Sequence, residues 1–278
     1  MTDQAERYDR IAEGYARWWA PVLAPSATAL LDWLGTDLDD GPRRVLDVGC
    51  GTGTLTIAAL ERWPQVRVDA IDASGEMVAA TQRRVATLGA VAADRFVGTA
   101  ALADRLPARD DTFDAAMSSF VLQLVPNRSR ALREIRRVLR PGARLAYVTW
   151  VWDDRSWRPD EILDDVLDDL DIGARDDERV HDASAGDLPS AESAAAGMRS
   201  AGFREVRAEL RQLRHRFDAV SYTAFITEFD ERDLVATLAP ERRERLVSEL
   251  TARLARLGPD ALVLETPVAY ATGRKPGR

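Results

Sequence analysis

Between residues 44 and 150, short apolar runs alternate with longer stretches whose apolar positions recur every three or four residues, which predicts strands and helices in turn. "RVLDVG" reads as a strand, "TLTIAALERW" as a helix stopped before Pro64, and "VRVDAID" as a second strand. "SGEMVAATQRRVATLG" opens on Ser74, an N-cap residue type, and closes on Gly89, so it reads as a helix. "DRFVGTA" and "TFDAAMSSFV" supply two more strands. "NRSRALREIRRVLRPG" is a helix expected to end at Pro141 and Gly142, and "ARLAYVTWVW" is a fifth strand. Upstream, residues 7–34 carry Tyr8, Ile11, Tyr15, Trp18 and Trp19 at helical spacing, with interruptions expected at Pro21 and Pro25.

Beyond residue 150 the pattern loosens. Residues 153–187 are dense in Asp and Glu, and "DEILDDVLDDLDI" places Ile162, Leu163, Val166, Leu167 and Leu170 on one helical face. Helix and strand resume in "SAAAGMRSAGFREVRAELRQLRHRF". "YTAFITEFDERDLVATL" and "APERRERLVSELTARLARLG" predict two more helices, and "ALVLETPVAYATGRKP" a closing strand. Strands alternating with helices imply an α/β, Rossmann-like, doubly wound, mostly parallel sheet of seven strands. The expected organisation is one domain over 1–278. It comprises an N-terminal helical cover (1–40), a ligand-binding core (41–152), an inserted acidic helical lid (153–190), and the C-terminal half of the core (191–278) with a further helical insertion near 218–258.

Composition narrows the function. Of 278 residues, 46% are hydrophobic and 30% charged, which suits a globular domain, and no apolar run approaches the roughly 20 residues that span a bilayer. "MTDQAERYDRIAEGYARWW" has no apolar signal core, so a cytoplasmic location is expected, with no membrane partner. Cys50 is the single cysteine, which excludes an internal disulfide framework and a cysteine-based zinc site. A net charge of −8 disfavours nucleic acid as a partner and favours a small molecule.

The densest chemical signal is "VLDVGCGTG", Val45 to Gly53, a strand running into a turn with glycine at 49, 51 and 53. Such a turn lets a ligand approach bare backbone. The dinucleotide fingerprint G-x-G-x-x-G would need glycine where Thr54 stands, which counts against a nicotinamide-dependent oxidoreductase. Asp72 ends the second strand, where a carboxylate can accept from both ribose hydroxyls of a nucleoside. Read alone it fits a solvated turn residue equally well; beside the glycine loop the ligand-binding reading is favoured, and its removal should barely affect folding.

"VLDVGCGTG", "DAS" at the end of the second strand, "LPARDDTFDAAMSS" and "EIRRVLRPGARLAYVTW" together resemble the class I S-adenosylmethionine-dependent methyltransferases, within them the broad group related to the quinone-biosynthesis methyltransferases. The likeness spans about Tyr8 to Trp150, with "AGF" near Ala201 and "YATGRKP" at the end. It implies S-adenosyl-L-methionine as cofactor, with Gly49, Cys50, Gly51, Thr52 and Gly53 lining the passage for its methionine moiety. Asp47 would order the loop or meet the amino group, Asp72 would take the ribose, and Ala73 and Met77 would pack on the adenine, although Met77 at helical spacing also suits the core. Ser118 would accept from the amino group through its backbone. Phe120, Gln123 and Trp19 would face the substrate cavity, and Tyr15, on the N-terminal helix that closes over the cofactor in relatives, would touch ligand.

The chain departs from that pattern twice. Thr99 stands where relatives often carry an adenine-binding aspartate, which leaves the Ala100 or Ala101 backbone, or Asp104, to read the base. Gln123 stands where relatives often carry histidine, so Tyr15 and Gln123 are the catalytic candidates and no base is assigned. His181 and His215, the only histidines, read as solvated. "DDVLDD", Asp164 to Asp169, has the spacing of a magnesium-binding carboxylate box but also that of a solvated acidic helix face, and no metal is expected. The resemblance implies transfer of a methyl group to O, N or C of a small-molecule acceptor, by in-line displacement, with positioning as the protein's main contribution. A non-catalytic protein that binds the same cofactor remains the alternative from another class, and the oligomeric state, monomer or homodimer, stays open.

Overall fold

The computed structural model describes residues 3–39, 43–173, 186–258 and 260–277. The chain divides into two compact units: Met1–Trp152 with His181–Gln212 and Pro267–Arg278, and Asp153–Val180 with Leu213–Thr266. The two stretches that the sequence reads as separate insertions therefore contribute to one unit.

In chain order the elements are α1 (Asp3–Gly14), α2 (Ala20–Ala29), β1 (Arg43–Val48), α3 (Thr54–Arg62), β2 (Val66–Asp72), α4 (Gly75–Ala86), α5 (Ala90–Ala93), β3 (Phe96–Ala100) and β4 (Phe113–Ser119). There follow α6 (Arg128–Val138), β5 (Leu139–Trp150), α7 (Arg158–Asp169), α8 (Ala191–Ser200), β6 (Arg204–Arg216), α9 (Ala219–Phe225), α10 (Arg232–Ala236), α11 (Pro240–Leu254) and β7 (Val263–Arg274). The seven strands form one sheet in the order β3-β2-β1-β4-β5-β7-β6. β1 pairs in parallel with β2 and β4, β2 with β3 and β4 with β5, while β7 runs antiparallel to β5. This is the doubly wound α/β fold that the alternation predicts.

β1 owes its central place to Val45, Leu46 and Val48, at most 2% exposed, which bury both faces of the strand as a parallel sheet requires. Leu46 and Val48 join Phe113, Leu132, Ile135 and Leu145 in the core beneath α6. Strand order reverses at β1, between β2 and β4, so the loops after β1, β2 and β4 converge at one sheet edge.

Two predicted boundaries are corrected. α2 runs through Pro25, and Pro21 sits in its first turn, where a missing N–H is not needed. Both prolines are exposed, so water can reach the carbonyl that Pro25 leaves unpaired. The break falls earlier, in a five-residue π turn at Tyr15–Trp19, where the Ala20 N–H reaches back to the Tyr15 carbonyl. α6 ends at Val138, before Pro141 and Gly142: Leu139 already pairs with Phe113, and the Lys275 ammonium donates to the carbonyls of Arg137 and Leu139 at 3.1 and 2.8 Å. Register then jumps to Ala115 opposite Arg144, so the Pro-Gly turn is an irregularity inside β5.

In the second unit, Ile162, Leu163, Val166 and Leu167 of α7 are buried as their spacing predicts. The stretch read as one helix over 222–238 is instead α9, a π turn at Ile226–Asp230, and α10. No helix among the described residues is long and apolar enough to cross a membrane.

Candidate functional site

β1 delivers the chain into the glycine loop, which its neighbours hold from three sides. The N–H groups of Gly49 and Cys50 both donate to the Ile71 carbonyl, at 2.8 and 2.9 Å. From α4, the Thr81 hydroxyl donates to the Gly51 carbonyl at 2.7 Å and Arg84 to the Thr52 carbonyl at 2.6 Å. Gly49 has φ +74, and a Cβ there would lie 2.2 Å from a methyl of Val121, so only glycine admits the segment after β4 this close. Gly53, at φ +89, occupies the N-cap of α3, and a Cβ there would meet Thr81 at 2.9 Å.

Asp72, at the end of β2, is more than a strand-end carboxylate. One oxygen accepts the Gly51 N–H at 2.8 Å and the other the Ser74 N–H at 3.0 Å, so it ties the loop to the start of α4. Burial raises its pKa, opposed by those backbone donors. The solvated reading of Asp72 is therefore corrected. The carboxylate retains acceptor capacity beyond the backbone N–H groups of Gly51, Ala73 and Ser74.

Asp47 is 1% exposed under the loop. One oxygen accepts the Thr56 hydroxyl at 2.6 Å, and the other has no hydrogen-bond partner. Burial pushes its pKa up to about 7, with the Thr56 bond opposing and the nearby Asp72 charge adding to the rise. The Thr52 hydroxyl is also buried without a partner.

A cavity of about 260 Å³ opens over this loop, wholly within the first unit. Of the residues singled out in the sequence, Gly49, Cys50, Gly51 and Thr52 line it from the loop, Asp72, Ala73 and Met77 from the end of β2 and α4, and Ala101, Phe120 and Tyr15 from elsewhere. Tyr8 stands beside Tyr15 edge to face, ring centroids 6.1 Å apart, and also lines the cavity. Burial pushes the Tyr8 hydroxyl up to about 12 and Tyr15 higher, so both stay protonated near neutrality. Phe120 has φ +57, a strained backbone for a bulky residue, held by its N–H to the Val148 carbonyl and by its ring against Trp150 at 4.5 Å.

The remaining candidates do not line the cavity. Thr99 and Ala100 are exposed on β3, and Ala101, Leu102, Ala103 and Asp104 of the following loop line the wall instead. The Ser118 hydroxyl donates to the Val48 carbonyl inside the sheet, and Ser119 is the neighbour on the wall. Gln123 is 2% exposed, its side-chain oxygen accepting from the Thr149 hydroxyl at 2.8 Å. Trp19 packs toward Trp150 at 6.2 Å, and Gly53 and Asp47 lie beneath the loop. Sequence reasoning missed Leu23 and Ala27 of α2 and Leu124 after β4, whose apolar spacing reads as ordinary core. It also missed Asp9, which accepts from the Ser74 hydroxyl at 2.5 Å and the Glu76 N–H at 3.2 Å, anchoring α1 on the N-terminus of α4.

In the second unit His215 packs against Phe217 at 4.5 Å, and burial lowers its pKa. His181 lies outside the described residues, as do residues 174–185 of the predicted lid. Asp165 lies 4.0 Å from Arg158 and Asp169 2.7 Å from Arg253, so "DDVLDD" faces arginines. Among the described residues no group of three His, Cys, Asp or Glu side chains could hold a metal ion.

Residues 45–142 match the family model "Methyltransferase domain". Over 217 residues the chain is 31% identical to a ubiquinone/menaquinone biosynthesis C-methyltransferase of Paracoccus denitrificans, covering 73% of this chain and 80% of that one. The chain belongs to the class I S-adenosylmethionine-dependent methyltransferases. A second relative, an uncharacterized methyltransferase of Mycobacterium bovis, is 36% identical over 58% of this chain, and the chain spans 57% of its length. Two solved structures share the fold. The [4+2]-cyclase SpnF has a TM-score of 0.54 and 24% identity, covering 90% of this chain and 82% of that one. The YcgJ protein of Bacillus subtilis has a TM-score of 0.58 and 19% identity, covering 90% and 99%. The family's cofactor suits the residues present: a wall of bare loop backbone, where a Cβ on Gly51 would meet only Tyr15 at 3.9 Å, leads to a carboxylate whose remaining lone pairs suit a vicinal diol.

Proposed function

We propose that this methyltransferase-family chain is an active enzyme that binds S-adenosyl-L-methionine in the cavity over the glycine loop and methylates a small-molecule acceptor. The observation that carries the reading is the Asp72 carboxylate held by Gly51 and Ser74 N–H groups on the same wall as the uncovered loop backbone. Bound there, the cofactor supplies a methyl group on a positively charged sulfur, which passes to a nucleophilic atom as the carbon–sulfur bond breaks with its electron pair left on sulfur.

The chain's own residues position and seal. Gly49, Cys50 and Gly51 give the methionine moiety a path without side chains, and Asp72 accepts from the ribose hydroxyls. Ala73 and Met77 lie against the base, whose edge meets the loop of Ala101 and Asp104 in place of Thr99. Tyr8 and Tyr15, protonated at neutral pH, close the cavity from the N-terminal helices and exclude water. No general base is assigned, and catalysis rests on alignment.

Thermal melting separates this reading from a nicotinamide site, because a ligand that binds only the folded state raises the melting temperature. S-adenosylhomocysteine should raise it in a concentration-dependent way while NAD leaves it unchanged. A rise with NAD alone would overturn the cofactor assignment. Slow release of labelled methyl from the cofactor into product, over a panel of small acceptors, distinguishes an enzyme from a protein that only binds.

A further inference from the structure

The cavity wall divides by chemistry. Ala20, Leu23 and Ala27 come from α2, Leu55 from α3, and Phe120 and Leu124 from the segment after β4. These side chains are apolar, and the polar ones that line the cavity from the same parts of the chain, Thr54, Ser119 and Asn127, are uncharged. Among the described residues, no arginine, lysine or histidine lines any part of the cavity. Its ionisable groups are Tyr8, Tyr15, Cys50, Asp72 and Asp104, none of a type that carries positive charge. The two carboxylates belong to the end of β2 and the loop after β3, where Asp104 stands 4.0 Å from Arg130 of α6.

From this wall, and resting on the reading of the cavity as a methyl-donor site, we propose that the acceptor is an uncharged, predominantly apolar small molecule without a carboxylate, phosphate or sulfate group. An anion placed against these residues would lose its hydration with no cation among them to replace it. A cationic acceptor would stand beside a positively charged sulfur with no acidic side chain on the apolar wall to offset the repulsion. A neutral acceptor avoids both penalties. Its transfer balances without a co-reactant: the new bond forms from the acceptor atom to the methyl carbon, and the proton that atom carried leaves to water.

Calorimetric titration of the full chain, first saturated with S-adenosylhomocysteine, tests the assignment with two probes that share one ring system, neutral 2-naphthol and anionic 2-naphthoate. The saturation step itself reports whether the donor site exists, so failure there sinks the donor-site reading and is distinct from failure of the acceptor class. The expected result is 2-naphthol binding at least tenfold tighter than 2-naphthoate, with the order narrowed or reversed in Leu124→Arg, at a half-buried position that can accept a longer side chain. Equal or tighter binding of 2-naphthoate to the unmodified protein would overturn the proposal. So would absence of 2-naphthol binding, or indifference of both probes to a folded Leu124→Arg.

Discussion

Replacing Asp47 by Asn should change the pH dependence of stability more than stability itself. The carboxyl is 1% exposed and its pKa is pushed from 3.8 up to about 7, chiefly by burial. A pKa raised in the folded state favours the protonated form there, so the group's contribution is full below about pH 4 and is lost as pH rises through about 7. At about 1.4 kcal/mol per pH unit, the span between those values corresponds to at most about 4 kcal/mol. Asparagine cannot ionise and keeps an oxygen for the Thr56 hydroxyl, but its amide N–H₂ falls where the unpartnered carboxyl oxygen lies, a cost of about 1–3 kcal/mol at every pH. By pH 5 the parent has already lost about 1.7 kcal/mol of the carboxyl's contribution, so the two proteins should differ by no more than about 1 kcal/mol there, and by pH 8 the variant should be the more stable by about 1–3 kcal/mol. Urea unfolding of both proteins without ligand, followed by tryptophan fluorescence from pH 5 to 8, measures the difference while other titrations cancel. A difference that stays within about 0.5 kcal/mol over that range would refute the buried, protonated carboxyl.

Three further substitutions probe separate parts of the account. Gly49→Ala combines a left-handed φ with a 2.2 Å clash on Val121 and should destabilise by more than about 2 kcal/mol, part of which Val121→Ala in the same chain should recover on chemical unfolding. Asp9→Ala removes two hydrogen bonds at the N-terminus of α4, so hydrogen exchange in residues 3–14 should quicken while the sheet stays protected, at a cost of about 1 kcal/mol. Asp165→Ala with Asp168→Ala, on the exposed face of α7, should shift unfolding by less than about 1 kcal/mol, and methyl transfer should survive a chelator; rescue by magnesium would contradict this.

How far the sequence foretells this molecule depends on whether the deciding interactions are local. The β1 strand, the turn at Gly49 and the Ser74 cap are legible because an apolar run, a glycine cluster and a capping hydroxyl each act within a few residues. Asp72 is legible as a chemical type in the right place, but its burial comes from Gly51, 21 positions away, and only the folded loop brings them together. The same holds for α6, whose end is set by Lys275 at the far end of the chain rather than by the Pro-Gly pair that follows. The π turn at Tyr15–Trp19 has no local signature, and the prolines beyond it suggest breaks that solvent exposure makes unnecessary. Thr99 and Gln123 occupy family positions in the sequence, yet strand pleat and packing turn their side chains away from the cavity, and neighbours such as Asp104 and Leu124 line it instead.

The central claim, that the glycine loop and Asp72 together form the site for the methyl donor, is tested most directly by titrating S-adenosylhomocysteine into the protein and into Asp72→Asn. Asparagine keeps one oxygen for a backbone N–H and loses the charge, and a hydrogen bond to a charged acceptor contributes about 1.5–3 kcal/mol. The account predicts saturable one-site binding to the parent protein, roughly ten- to a few hundredfold weaker in the variant, with the ligand-free variant itself about 1–3 kcal/mol less stable because the tie between Gly51 and Ser74 is loosened. Unchanged affinity in a variant that folds would contradict it.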